Sequence, residues 1–183
     1  MSNSIPAYRV TLVKESSVQM ATRPQLRSSA DIYNLMKPLF DDMDREAFYI
    51  ILLDTKNKVI GVNCVSIGSL TSSLVSPREV FKPVVAYNDN IKERTRAWCE
   101  TQLTEDQKKA LEKKVLEAVC RHSCSSIILC HQHPSGDPTP SPEDLHITNR
   151  LREIGDIMSI RVLDHVIVGD GQYVSFVDDG YWS

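Results

Sequence analysis

The chain is 183 residues long, enough for one domain that buries a sizeable core without needing disulfides or a structural metal. Hydrophobic residues make up 42% and charged residues 25%, a balance that excludes disordered and fibrous classes. A formal net charge of -3 excludes a global positive field of the kind that draws in nucleic acid by counterion release.

No internal repeat or low-complexity tract divides the chain, so residues 1–183 read as a single domain. The opening MSNSIPAYRVTLVKE has neither the basic flank nor the apolar centre of a signal peptide. No apolar run approaches the roughly 18 residues of a membrane span. Five cysteines (Cys64, Cys99, Cys120, Cys124, Cys130), odd in number and unevenly spaced, suit reduced thiols. The expectation is a cytoplasmic protein with no membrane attachment.

Within an N-terminal extension over residues 1–26, YRVTLV (8–13) reads as an edge strand. Ser28 or Ser29 then caps a helix whose Ile32, Leu35, Met36 and Leu39 recur at helical spacing, ending near Phe40. EAFYIILLD (46–54) is a β-rich apolar run, DTKNK supplies turn residues, and VIGVNCVSIG (59–68) follows as its hairpin partner. Ser76, Pro77 and Glu79 predict a helix start, and Asn88, Asp89 and Asn90 its stop. Thr104 and Gln107 open another helix, with Leu111, Val115 and Val119 as its stripe. It leads to a short buried strand, SSIILC (125–130), ending at His131. Ser141, Pro142 and Asp144 read as a further helix start, with Ile147, Leu151, Ile154 and Met158 inward. IRVLDHVIV (160–168) and YVSFV (173–177) close the chain as strands joined by the turn Gly169-Asp170-Gly171-Gln172. Strands interleaved with helices in this way predict an α/β sheet covered on more than one side.

The chemistry concentrates in HQHPSGDPTPSPED. His131 and His133 are two apart at a strand end, where the two-residue period points both imidazoles the same way. The loop through Pro134, Gly136, Pro138 and Pro140 is short and stiff enough to return Asp144, in the first turn of the next helix, to that strand end. Two imidazoles and one carboxylate leave a fourth tetrahedral position open to water, the catalytic pattern for zinc. There the water's pKa falls from about 15.7 to roughly 7, given a base to take its proton. The plainer reading is that Ser141 and Asp144 only cap and charge a helix N-terminus, and that the histidines are surface or core residues.

HQHPSGDPTPSPED resembles the JAMM (MPN-plus) signature of His-x-His, seven residues, Ser, two residues, Asp, at every spacing. HPSGDPTPS, with SPREVF upstream and LDHVIVG downstream, is similar to the bacterial RadC-like branch of that superfamily, over about residues 45–181. The resemblance implies a three-layer, mixed-sheet MPN domain of the cytidine-deaminase-like type. It implies one Zn2+ per chain on His131, His133 and Asp144, with Ser141 steadying the oxyanion. It also implies an early-strand glutamate as general base, a place that Glu46 matches, although a strand-edge glutamate needs no such role. The expected activity is a zinc metallopeptidase or isopeptidase acting on a peptide or protein substrate.

Two departures from the pattern stand out. Gln132 occupies the usual asparagine position between the histidines and should point away from the metal. Residues 88–114 read as an insertion that faces the substrate, a second copy or a partner protein, with Trp98 close to Arg94 and Arg96. A competing zinc set of Cys120, Cys124, His131 and His133 is disfavoured because a strand length separates the thiols from the imidazoles. His122 and His146 read as surface residues, and His165 as a satisfied strand histidine outside the metal shell. The second functional class is a DNA-repair-associated accessory or DNA-binding module. The acidic balance and the missing helix-hairpin-helix region of longer relatives speak against it, although a local basic stripe such as Lys92, Arg94 and Arg96 could contact phosphates.

Overall fold

The computed structural model describes residues 23–41, 43–68, 75–102 and 123–182, with the backbone alone for 90–102. The elements in order are α1 (Ser29–Phe40), β1 (Ala47–Leu53), β2 (Val59–Ile67), α2 (Pro77–Gln102), β3 (Ser126–Gln132), α3 (Pro142–Ile157), β4 (Arg161–Val168) and β5 (Tyr173–Ser175). The predicted strand at 8–13 and the predicted helix opening at Thr104 lie outside the described residues.

Near-continuous apolar runs in β1 and β3 demand cover on both faces, and both faces have it. The sheet order is β2-β1-β3-β4-β5; β3 and β4 are parallel, joined by α3 as crossover, and the other pairs are antiparallel. Alternation sorts the side chains. Ala47, Ile51, Leu53, Ile128 and Cys130 pack with Ile32, Leu35 and Met36 of α1. Phe48, Ile50, Leu52, Ile127 and Leu129 pack with Val80, Phe81 and Val84 of α2 and Leu151 of α3. The result is the predicted α/β, three-layer, mixed-sheet architecture. No described helix is long and apolar enough to cross a membrane.

Three expectations need correction. First, α2 does not stop at Asn88–Asn90 but continues to Gln102. Asn88 spends its side chain elsewhere, accepting from the Cys124 backbone N–H at 2.7 Å and donating to the Cys124 carbonyl at 3.2 Å. It thus pins the entry to β3 without breaking its own helix, while the good helix formers Lys92, Glu93, Arg94, Arg96 and Ala97 carry the backbone on. Second, Met158 is exposed, not inward. The fully buried residues of α3 are Asp144, Thr148, Leu151 and Gly155, with the predicted Ile147 and Ile154 partly buried against the same core. Third, β5 ends at Ser175, short of the predicted Val177.

The parallel pair contains one irregularity. Ile127 pairs with Val162 but Leu129 pairs with His165, so β4 carries one extra residue between them. Such a bulge reverses which face the later residues address.

Candidate metal centre

β3 delivers His131 and His133 to the α2/α3 face of the sheet, and Gln132 between them to the opposite face. There the Gln132 amide donates to the carbonyls of Arg45 (2.8 Å) and Met43 (3.3 Å). The departure from asparagine therefore leaves the imidazoles alone and ties β3 to the segment that leads into Glu46. Beyond the strand, the His133 N–H donates to the Val168 carbonyl and the Asp170 N–H to the Gly136 carbonyl, each at 2.9 Å. The proline-bearing loop is thereby fastened to the β4–β5 turn.

That loop returns the chain to Ser141, the N-cap of α3. Its hydroxyl donates to Asp144 Oδ2 at 2.6 Å and accepts from the Asp144 N–H, while the Ser141 N–H reaches the same carboxylate at 2.8 Å. This capping box holds the Asp144 carboxylate 3.3 Å from His131 Nε2 and 3.5 Å from His133 Nε2. The two Nε2 atoms lie 2.9 Å apart. Glu46, at the rim, brings Oε1 to 4.0 Å from His133 Nε2. Ligand atoms of Glu46, His131 and His133 all fall within 4.8 Å of one another, a group able to hold a metal ion.

The direction of each hydrogen bond tests whether a cation belongs here. Thr148 has a single hydroxyl proton, donated to the Asp144 carbonyl at 2.5 Å, so its oxygen accepts from His165 Nδ1–H at 2.6 Å. His165 Nε2 is then bare and accepts from His131 Nδ1–H at 2.8 Å. That leaves His131 Nε2 bare. Independently, His133 Nδ1–H donates to the Asp137 carbonyl at 2.8 Å, which leaves neutral His133 with a bare Nε2 as well. With His133 neutral, two nitrogen lone pairs and a carboxylate converge, an arrangement that repels itself unless positive charge enters, either as a proton on His133 Nε2 shared with Asp144 or as a metal cation. The donor separations of 2.9–3.5 Å suit ligands about 2.0–2.1 Å from one tetrahedral ion, whose edges are about 3.3 Å.

The electrostatics agree. Burial, with His165 adjacent, pushes His131 well below the usual histidine range, and burial takes His165 down to about 3, so both rings are neutral near pH 7. His133 goes the other way, raised chiefly by hydrogen bonding to Asp144 against the opposing effect of burial. Burial alone would raise Asp144, but hydrogen bonding to His133 and the two bonds from Ser141 hold its carboxyl below the ordinary carboxylate value. The pocket keeps its anion and draws a cation.

Of the residues singled out in the sequence, His131, His133, Asp144, Ser141 and Glu46 come together. The competing thiolate set does not. Cys124 lies at the far end of β3, its thiol donates to the Ser126 carbonyl, and burial pushes its pKa up to about 11. Cys120 lies outside the described residues. Thr148 and the contact of His165 with His131 were not anticipated. The Asp144–Thr148 spacing of four was a usable signal for a shared helix face, whereas the bulge that turns His165 inward left no mark in the sequence.

The chain matches the RadC-like JAB domain family over residues 26–91 and 95–181. It is 40% identical over 155 residues to a UPF0758 protein of Caldanaerobacter subterraneus, covering 85% of this chain and 52% of that protein. It is 41% identical over 161 residues to a UPF0758 protein of Geobacter sulfurreducens, covering 88% and 55%. A UPF0758 protein of Desulfitobacterium hafniense is 40% identical over 158 residues, covering 86% and 54%. The chain thus spans about half the length of these curated relatives. With most of its length matched, this chain belongs to the RadC-like JAB domain family.

Proposed function

We propose that this chain is a zinc-dependent hydrolase that cleaves an amide, a peptide or isopeptide bond, in a peptide or protein substrate. The observation that carries the reading is the convergence of His131 Nε2, His133 Nε2 and the Asp144 carboxylate beside a rim glutamate. Two nitrogens and one oxygen form the donor set of an open zinc site, with one zinc per chain held by His131, His133 and Asp144. When bound, such an ion supplies Lewis acidity, which polarises an amide carbonyl and acidifies water.

The chain's own residues do the rest. Glu46, on the solvent side of the imidazoles, takes the proton of the attacking water and returns it to the departing amine. Ser141, now donating to Asp144, turns its hydroxyl toward the oxyanion that develops on the substrate. Full burial of His131 keeps water off the inner ligand, while the exposed edges of His133 and Glu46 mark where substrate approaches. Residues 88–114, of which 103–114 lie outside the described residues, are in this reading the segment that meets substrate or a partner.

The test is chelator-sensitive turnover. Metal-replete protein is incubated with a mixed peptide library and with a lysine-linked isopeptide, and products are read by mass spectrometry. Cleavage that stops with 1,10-phenanthroline and returns with added zinc is the expected result. No cleavage by fully loaded protein, or cleavage indifferent to the chelator, would overturn the proposal.

A further inference from the structure

Two buried polar residues outside the proposed ligand set lie end to end behind it. Thr148 and His165 are both essentially inaccessible, and His165 is wedged between Phe48 and Phe176, with ring centroids 5.6 and 4.8 Å away. A buried histidine satisfied by two hydrogen bonds is ordinarily just part of a core. The path of these bonds argues otherwise. It starts at the Asp144 carbonyl on α3, passes through the Thr148 hydroxyl and the His165 ring on β4, and ends on Nδ1 of His131 on β3. Both ends are residues of the metal set, so the orientation of one imidazole is tied to the backbone of the residue bearing the carboxylate. The extra residue in β4 matters too. In regular alternation from Val162, His165 would face the α1 layer, and the bulge turns it toward His131.

We propose that Thr148 and His165 are positioning residues that hold His131 in the tautomer whose Nε2 is free to bind the metal. The relay has two senses. With the Thr148 proton on the Asp144 carbonyl, every ring donates through Nδ1 and His131 presents a lone pair to the site. With that proton turned to His165 Nδ1, both rings reverse and His131 Nε2 carries a hydrogen that blocks coordination. The i to i−4 bond from Thr148 to the Asp144 carbonyl selects the first sense. Ligand histidines usually hand their second N–H directly to a carboxylate or carbonyl. Here the acceptor is another histidine, whose own tautomer must be set one step further back.

This inference rests on the metal-centre reading but not on the bond cleaved, and its tests use no substrate. Zinc affinity is measured by competition with a chromophoric chelator, beside thermal unfolding of the metal-free chains. Thr148→Val, nearly isosteric, is expected to weaken zinc binding about 10- to 100-fold, and Thr148→Ser to stay within about 3-fold of the parent. Equal affinity for Thr148→Val, or an equal loss in Thr148→Ser, would reduce the relay to packing. Histidine ring 1H–15N correlation spectra of the unsubstituted, metal-free chain at neutral pH give a reading that survives if Thr148→Val fails to fold. Nδ1–H on both His131 and His165 is expected, and Nε2–H on either refutes the proposal. If the parent bound no zinc, the metal-centre reading would fall, while the spectra would still decide the relay.

Discussion

Exchanging Glu46 for glutamine is expected to slow amide cleavage by about 10²- to 10⁴-fold, about 3–5 kcal/mol of barrier, while the chain retains its metal. The substitution keeps size and hydrogen-bonding reach but removes the ability to accept a proton. Its backbone placement should survive, because the Glu46 carbonyl accepts from the Gly68 N–H at 2.7 Å and the preceding carbonyl of Arg45 is held by Gln132. The loss is then chemical, not structural. The same variant separates two roles, since Glu46 also belongs to the group of ligand atoms around His131 and His133. Unchanged metal content with lost turnover identifies a base, and lost metal identifies a ligand. Turnover at the parent rate means that the proton goes elsewhere.

A single methyl group at Gly169 should damage the centre from outside it. A Cβ there would fall 2.2 Å from the Gly136 carbonyl oxygen and 2.7 Å from Pro138 Cδ, and the carbonyl belongs to backbone that cannot rotate away. The loop from His133 to Pro140 must then lift off the β4–β5 turn, straining the His133 to Val168 and Asp170 to Gly136 hydrogen bonds. The contact at risk for function is His133 Nδ1–H to the Asp137 carbonyl, which leaves the other nitrogen for the ion. Gly169→Ala is expected to destabilise the chain by about 1–3 kcal/mol, lowering the melting temperature by about 2–12 °C. Metal affinity should fall about 10-fold or more. Gly61→Ala is the control, because that site has nothing within 4 Å and no left-handed backbone. A Gly169→Ala chain that binds metal like the parent would show that the turn does not position His133.

How much of this was legible depended on how local each signal was. The two-residue period of β3 placed His131 and His133 on one face, and the Ser-Pro-x-Asp start of α3 placed Asp144 in its first turn, because backbone geometry alone decides both. The hairpin of β1 and β2 was equally local. What escaped were side chains whose partners lie far away in the chain. Asn88 read as a helix stop because nothing nearby reveals that it clamps Cys124, 36 residues on. Thr148 went unremarked because its partner, His165, lies 17 residues on. His165 read as an ordinary strand residue, since a one-residue bulge reverses its face without altering composition or periodicity enough to be noticed.

Metal analysis of the purified chain and three variants tests the central claim most directly. About one zinc per chain in the parent, lost on His131→Ala and on Asp144→Ala and kept on Cys124→Ala, is the result predicted by the convergence of His131, His133 and Asp144. A parent that binds no metal when zinc is supplied, or metal that follows Cys124 and is indifferent to Asp144, would contradict it.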